Sequence, residues 1–189
     1  VVVSRYGSPL EFGVFVVPTS DDLGVAREQA AIADALALDL VGIQDHPYQW
    51  RYLETWALSA DLLARTERVR FFPDVANLPL RGPAMIAKQA ASLDVLSDGR
   101  FELGLGAGWM TSDYEHAGIP FDRPGVRIAR LEEAVQVVKG LFSEGPCHFE
   151  GAHYRTGGRS GSPKPLQRPH PPLVIGGGGR KVLELAGRH

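Results

Sequence analysis

Residues 81–109 read RGPAMIAKQAASLDVLSDGRFELGLGAGW. This stretch decides the fold, because it reads as a helix, a tight turn and a strand that ends in a run of glycines. Pro83 suits a first helical turn, where its missing N–H would have had no partner. Met85, Ile86, Ala90, Leu93 and Leu96 recur at helical spacing and predict one apolar face. Ser97-Asp98-Gly99 stops the helix and turns the chain. Phe101, Leu103 and Leu105 then alternate as a strand, while Gly104, Gly106 and Gly108 leave one of its sides without side chains. A strand gives up packing in this way where another backbone or a flat ligand comes close.

Upstream, the alternation of strand and helix repeats. Residues 12–17 (FGVFVV) and 40–44 (LVGIQ) are apolar runs that predict buried strands. Residues 69–77 (VRFFPDVAN) predict a third strand, with an irregularity or bulge at Pro73. Between them, helices are predicted over about 23–38 and 53–65. Leu23, Ala26, Ala30, Ala33 and Ala37 line the first, and Leu58, Leu62 and Leu63 face inward on the second. Downstream, residues 110–125 read as a loop with room for a helical turn near 113–116. A long helix is predicted over 126–143 and a hairpin over 148–154 turning at Gly151. Residues 156–172 are loop, rich in Gly, Pro and Ser. A fifth strand at 173–175 runs through four glycines into a helix beginning near Arg180. Near-continuous apolar strands alternating with helices predict a parallel sheet covered by helices. Five strands suit an open sheet and are too few for an eight-stranded barrel, and periodicity does not choose between the two.

The chain has 189 residues, 44% of them apolar and 22% charged, which predicts one packed domain over residues 1–189. A net charge of −2 gives no electrostatic ground for nucleic acid or an anionic membrane as partner. The single cysteine, Cys147, excludes an internal disulfide framework and fits a cytoplasmic protein. No apolar run is long enough to cross a bilayer, and the Val1-Val2-Val3 start lacks the layout of a signal peptide. The absence of an initiator Met and the end of the chain within an apparent helix lead us to expect part of a longer chain.

In parallel β/α folds, ligands sit at the carboxyl ends of the strands. Four predicted strand ends carry unusual residues: Asp45-His46, Asp74 with Asn77, Gly106-Ala107-Gly108-Trp109, and Gly176-Gly177-Gly178-Gly179 before a helix. A glycine run entering a helix offers free backbone N–H groups and the positive end of the helix dipole, which together hold phosphate; Arg180 adds a cation beside it. A flexible turn is the competing reading. The run matches neither a dinucleotide fingerprint nor a phosphate-binding Gly-Lys-Ser/Thr loop. His46 is a candidate acid or base because an imidazole titrates near neutrality, against the alternative of a structural histidine. Asp45 precedes it on a strand end, so the two side chains diverge. Cys147, His148 and His153 have no metal-ligand spacing, so no metal is expected. No G-x-S-x-G elbow is present.

Several stretches together carry a resemblance: Leu78-Pro79-Leu80-Arg81 with Pro83; residues 87–109; Gly118-Ile119-Pro120-Phe121 with Arg127; and Arg168-Pro169-His170-Pro171-Pro172 leading to residues 175–179. From residue 12 to about 188 the chain resembles the luciferase-like monooxygenase superfamily, and within it the oxidoreductases that use the deazaflavin coenzyme F420. The resemblance implies a (β/α)8 barrel of the TIM type, of which this chain holds the first five β/α units. It implies a cofactor lying across the strand ends. Asp45 and His46 would face its reactive ring, with His46 as proton donor or acceptor. Residues 74–77 would form an irregular third strand, often with a non-proline cis peptide, that backs the ring. Gly106 and Gly108 would give the flat cofactor room. Residues 177–179 would form the phosphate-binding turn. The implied activity is hydride transfer between F420 and a small organic substrate, in an enzyme whose relatives are often homodimers. Two alternatives are an FMN-dependent two-component monooxygenase and a non-catalytic flavin- or deazaflavin-binding protein.

Overall fold

The computed structural model describes residues 9–189; residues 1–8, with the Val1-Val2-Val3 start, lie outside the described residues. The elements follow the alternation read above. β1 (Gly13–Val16), α1 (Leu23–Ala35), β2 (Leu40–Ile43), α2 (Thr55–Leu63) and β3 (Arg70–Pro73) come first. β4 (Ala76–Asn77), a 3-10 turn at Leu78–Leu80, α3 (Pro83–Leu96) and β5 (Leu103–Gly106) follow. Then come α4 (Thr111–Ala117), α5 (Pro124–Phe142), β6 (His148–Glu150), β7 (Arg155–Gly157), β8 (Leu173–Gly176) and α6 (Arg180–Arg188).

Two parallel sheets, β1-β2-β3 and β4-β5-β8, carry the core. A parallel bridge between Phe71 and Phe101 joins them. The expected irregularity in the third strand is a break at Asp74-Val75, whose peptide is cis; β3 precedes it in one sheet and β4 follows in the other. One face of the strands presents Val16, Val41, Ile43, Phe71, Leu103 and Leu105, all wholly buried in the core with the helices. On the other face, Gly42, Phe72 and Gly104 lie side by side.

The glycines at period two are filled from within the protein. A Cβ on Gly104 would lie 2.0 Å from the Pro73 carbonyl oxygen, and one on Gly106 or Gly176 would lie 2.5 or 2.6 Å from Val75 Cγ2. Val75, delivered by the break between β3 and β4, occupies the space those glycines leave. The close neighbour of this strand is therefore backbone and the Val75 side chain.

Local chemistry sets the helix ends. Asp22 accepts the Val25 N–H and Glu54 accepts the Ala57 N–H, capping α1 and α2. Pro83 and Pro124 open α3 and α5. The buried face of α3 is Ile86, Ala87, Ala90, Ala91, Leu93 and Asp94. Met85 (58% exposed) and Leu96 (79%) are not on it, because at about 100° per residue they fall on the opposite side. Asp94 takes a place in that face because its carboxylate accepts the backbone N–H groups of Leu166 and Gln167 and the Gln167 side-chain amide. The hairpin also differs from expectation. Its turn spans 151–154, closed by a Gly151 N–H to Tyr154 oxygen bond of 2.9 Å. The Glu133 carboxylate on α5 holds it by accepting the N–H groups of Ala152, His153 and Tyr154. Among the described residues, no helix is long and apolar enough to cross a membrane.

Candidate functional site

The carboxyl ends of β2, β4, β5 and β8 surround a cavity of about 470 Å³. Asp45, His46, Asp74, Asn77, Gly106, Gly108 and Gly176 to Gly179 all line it. Arg180 does not. Its side chain is 91% exposed and pairs with Glu184 one turn along α6, at 2.7 Å. As the first helical residue it projects from the outer surface of α6, so the cation expected beside the glycine turn is absent from the cavity wall.

His46 is 8% exposed, and its Nδ1 lies 2.7 Å from Asp113 Oδ2, itself almost wholly buried. A carboxylate at Nδ1 accepts a hydrogen bond from the N–H of that nitrogen, which leaves Nε2 as the atom able to take or give a proton. Trp109 stands edge-on to the ring at 5.6 Å. Asp113 arrives on α4, a helix in the stretch read as mostly loop. Tyr114, wholly buried beside it, donates its hydroxyl proton to Asn77 Oδ1 at 3.0 Å. Burial pushes the Tyr114 phenol up, with Arg127 opposing. The Arg127 guanidinium donates to the carbonyls of Gly108 and Asp122 and lies 4.3 Å over the Phe121 ring. Gly108 is needed at this junction. Its φ is +74°, and a Cβ there would fall 1.8 Å from the Tyr114 hydroxyl and 2.4 Å from Asn77 Oδ1.

Asp45 turns away from His46 and is held from behind. Its Oδ2 accepts Arg81 Nη1 at 2.6 Å and the Asn77 N–H at 3.2 Å, and Arg81 also reaches Glu54. Asp45 Oδ1 is buried with no hydrogen-bond partner among the described residues. Burial pushes this carboxyl up, against the pull of Arg81. Burial likewise pushes up Asp74, whose Cβ lies over Gly42. At the opposite wall the chain has no side chains from 176 to 179. Gly177 has a φ of 141°, and Gly179 precedes the first turn of α6, whose leading N–H groups lack intrahelical acceptors.

The cavity therefore has two unlike ends. One offers the His46 imidazole and the carboxyls of Asp45 and Asp74, with Asp45 Oδ1 buried and unpaired among the described residues. The other offers backbone N–H groups and a helix N-terminus suited to an anion. The size and the bare glycine wall fit a flat heteroaromatic cofactor carrying phosphate. Asp113, Tyr114 and Arg127 complete the site. Arg127 lies within the stretches that carry the resemblance, but the residues gave it no role. Asp113 and Tyr114 had no signal beyond an acid-aromatic pair ahead of a glycine.

The chain is 34% identical over 193 residues to the F420-dependent glucose-6-phosphate dehydrogenase of Kineococcus radiotolerans, an alignment covering 99% of this chain and 56% of that one. It is 33% identical over 135 residues to the FMNH(2)-dependent dimethylsulfone monooxygenase of Pseudomonas putida, covering 71% and 37%. The chain thus spans about half, or less, of the length of these curated relatives. The coenzyme F420 dependent tetrahydromethanopterin reductase of Methanopyrus kandleri superposes with a TM-score of 0.85 at 22% identity, covering 96% of this chain and 54% of the other. That likeness establishes a shared α/β fold. The family model for luciferase-like monooxygenases matches residues 9–189, and the chain belongs to that family.

Proposed function

We propose that this chain carries the cofactor cavity of an oxidoreductase that moves hydride between coenzyme F420 and an organic substrate. The observation that carries this reading is the pairing of His46 with Asp113 across a cavity whose far wall is the bare glycine turn. F420, when bound, supplies the hydride chemistry. His46 holds or releases the accompanying proton at Nε2. Asp113 keeps the ring oriented through Nδ1. Gly177 to Gly179 and the first turn of α6 bind phosphate through backbone N–H groups. Asp45 and Asp74 line the cavity beside it. In this reading residues 1–189 are one domain, the first five β/α units of a (β/α)8 barrel. The exposed apolar side chains on and beside β1, Phe12 (61%), Phe15 (50%) and Val17 (42%), are consistent with further elements packing there.

The identity to an FMNH(2)-dependent monooxygenase supports a second reading, reduced FMN with oxygen as co-substrate. Titration with F420 and with FMN, followed by absorbance and fluorescence, separates the two. The proposal expects saturable F420 binding at least ~10-fold tighter than FMN, a difference of about 1.4 kcal/mol, and no oxygen consumption on turnover. Tight FMN binding without F420 binding, or oxygen consumed in proportion to product, overturns it.

A further inference from the structure

A second cavity, of about 400 Å³, lies on the helical side of the molecule. Ala87 of α3 and Leu141 and Phe142 of α5 give it an apolar floor, and Lys88, Arg155 and Arg159 stand around it; among the described residues no carboxylate lines it. Ile128 and Leu141 border the two cavities from the same helix, and a rise of 1.5 Å per residue puts them about 20 Å apart.

The walls of this cavity are pinned. Lys88 Nζ donates to the Ser162 carbonyl, and Lys164 Nζ donates to the carbonyls of Leu141 and Ser143. Gly161 lies so close to α5 that a Cβ would be 2.2 Å from the Leu141 oxygen. Two lysines and a glycine thus hold the 160–164 segment against α3 and α5, with the cavity framed between them. The lysines are spent on carbonyls, but the two arginines are available. Arg155 pairs only with Glu150, at 2.7 Å with both side chains 74% exposed, a surface pair of little strength. Arg159 has no side-chain hydrogen bond among the described residues.

We propose that this cavity binds a compact organic anion. Its apolar body would rest on Ala87, Leu141 and Phe142, and its carboxylate or phosphate would lie between Arg155 and Arg159. Guanidinium groups match such anions with paired N–H donors. The site stands apart from the His46 cavity, so the proposal holds or fails independently of the cofactor assigned there.

The test is an amide NMR titration of the protein with benzoate, benzyl alcohol and inorganic phosphate. Benzoate should shift the amides of Lys88, Thr156, Gly157 and Gly161 saturably. Benzyl alcohol and phosphate, which each lack half of the chemistry, should bind at least ~10-fold more weakly. The Arg155→Ala/Arg159→Ala variant, changed only at exposed positions, should weaken benzoate about tenfold or more and leave shifts at Gly177 to Gly179 unchanged. Ala84→Leu should block benzoate by filling the cavity from its exposed side. Equal binding of the alcohol, equal binding of phosphate, shifts confined to the His46 cavity, or full benzoate affinity in the double arginine variant would each overturn the proposal.

Discussion

The two ends of the His46 cavity are built on opposite plans. At the β2–α4 end almost every polar atom is committed: His46 to Asp113, Asn77 to Tyr114, Asp45 to Arg81, and Arg127 to the Gly108 carbonyl. At the β8–α6 end the chain presents four glycines and a helix start, and its nearest cation, Arg180, points away to Glu184. The difference suits the roles proposed for the two ends. Moving a proton requires one nitrogen held in one orientation, which takes a lattice of side chains. Holding an anion requires several N–H groups with nothing in front of them, which takes the removal of side chains.

Substitutions at each end should separate these plans. Gly108→Ala should have the largest effect on folding. It forces a Cβ into the Tyr114–Asn77 pair at a positive φ, and stability should fall by roughly 3 kcal/mol or more, read from chemical denaturation. Asp113→Asn should leave the fold and cofactor affinity intact but lower kcat by about 10- to 100-fold, with KM nearly unchanged. Asp113→Glu should recover part of that loss; full activity in the Asn variant would remove the orienting role. Gly178→Asp should act at the other end. No atom of the described residues lies within 4 Å of a Cβ there, so the fold should persist. The added charge should weaken a phosphate-bearing cofactor by about tenfold, while Gly178→Ala should be close to neutral.

The same contrast explains what was legible beforehand. The strand ends were readable because a short apolar run followed by Asp-His or by glycines is a local pattern, and a parallel fold brings such ends together. The glycine end is local through and through, since its chemistry is backbone. The proton end is not. Asp113 lies in TSDYEHA, a polar stretch with no apolar period, and in α4 Asp113 and Tyr114 are buried against His46, just past β2, and Asn77 of β4, both from far earlier in the chain. Nor could the sequence say what fills the glycine side of β5: Val75 does so only because the chain breaks between β3 and β4. Met85 and Leu96 misled for a related reason. Apolar residues can satisfy a helical period on either side of a helix, and which side is buried depends on the neighbours.

The central claim is that one end of the cavity moves a proton and the other binds. The most direct measurement is His46→Ala, with F420 affinity and turnover determined on the same preparation. The account predicts that turnover falls by about 10²- to 10⁴-fold, the usual contribution of a positioned acid or base, while F420 affinity changes by less than about twofold. Normal turnover with intact binding would contradict it.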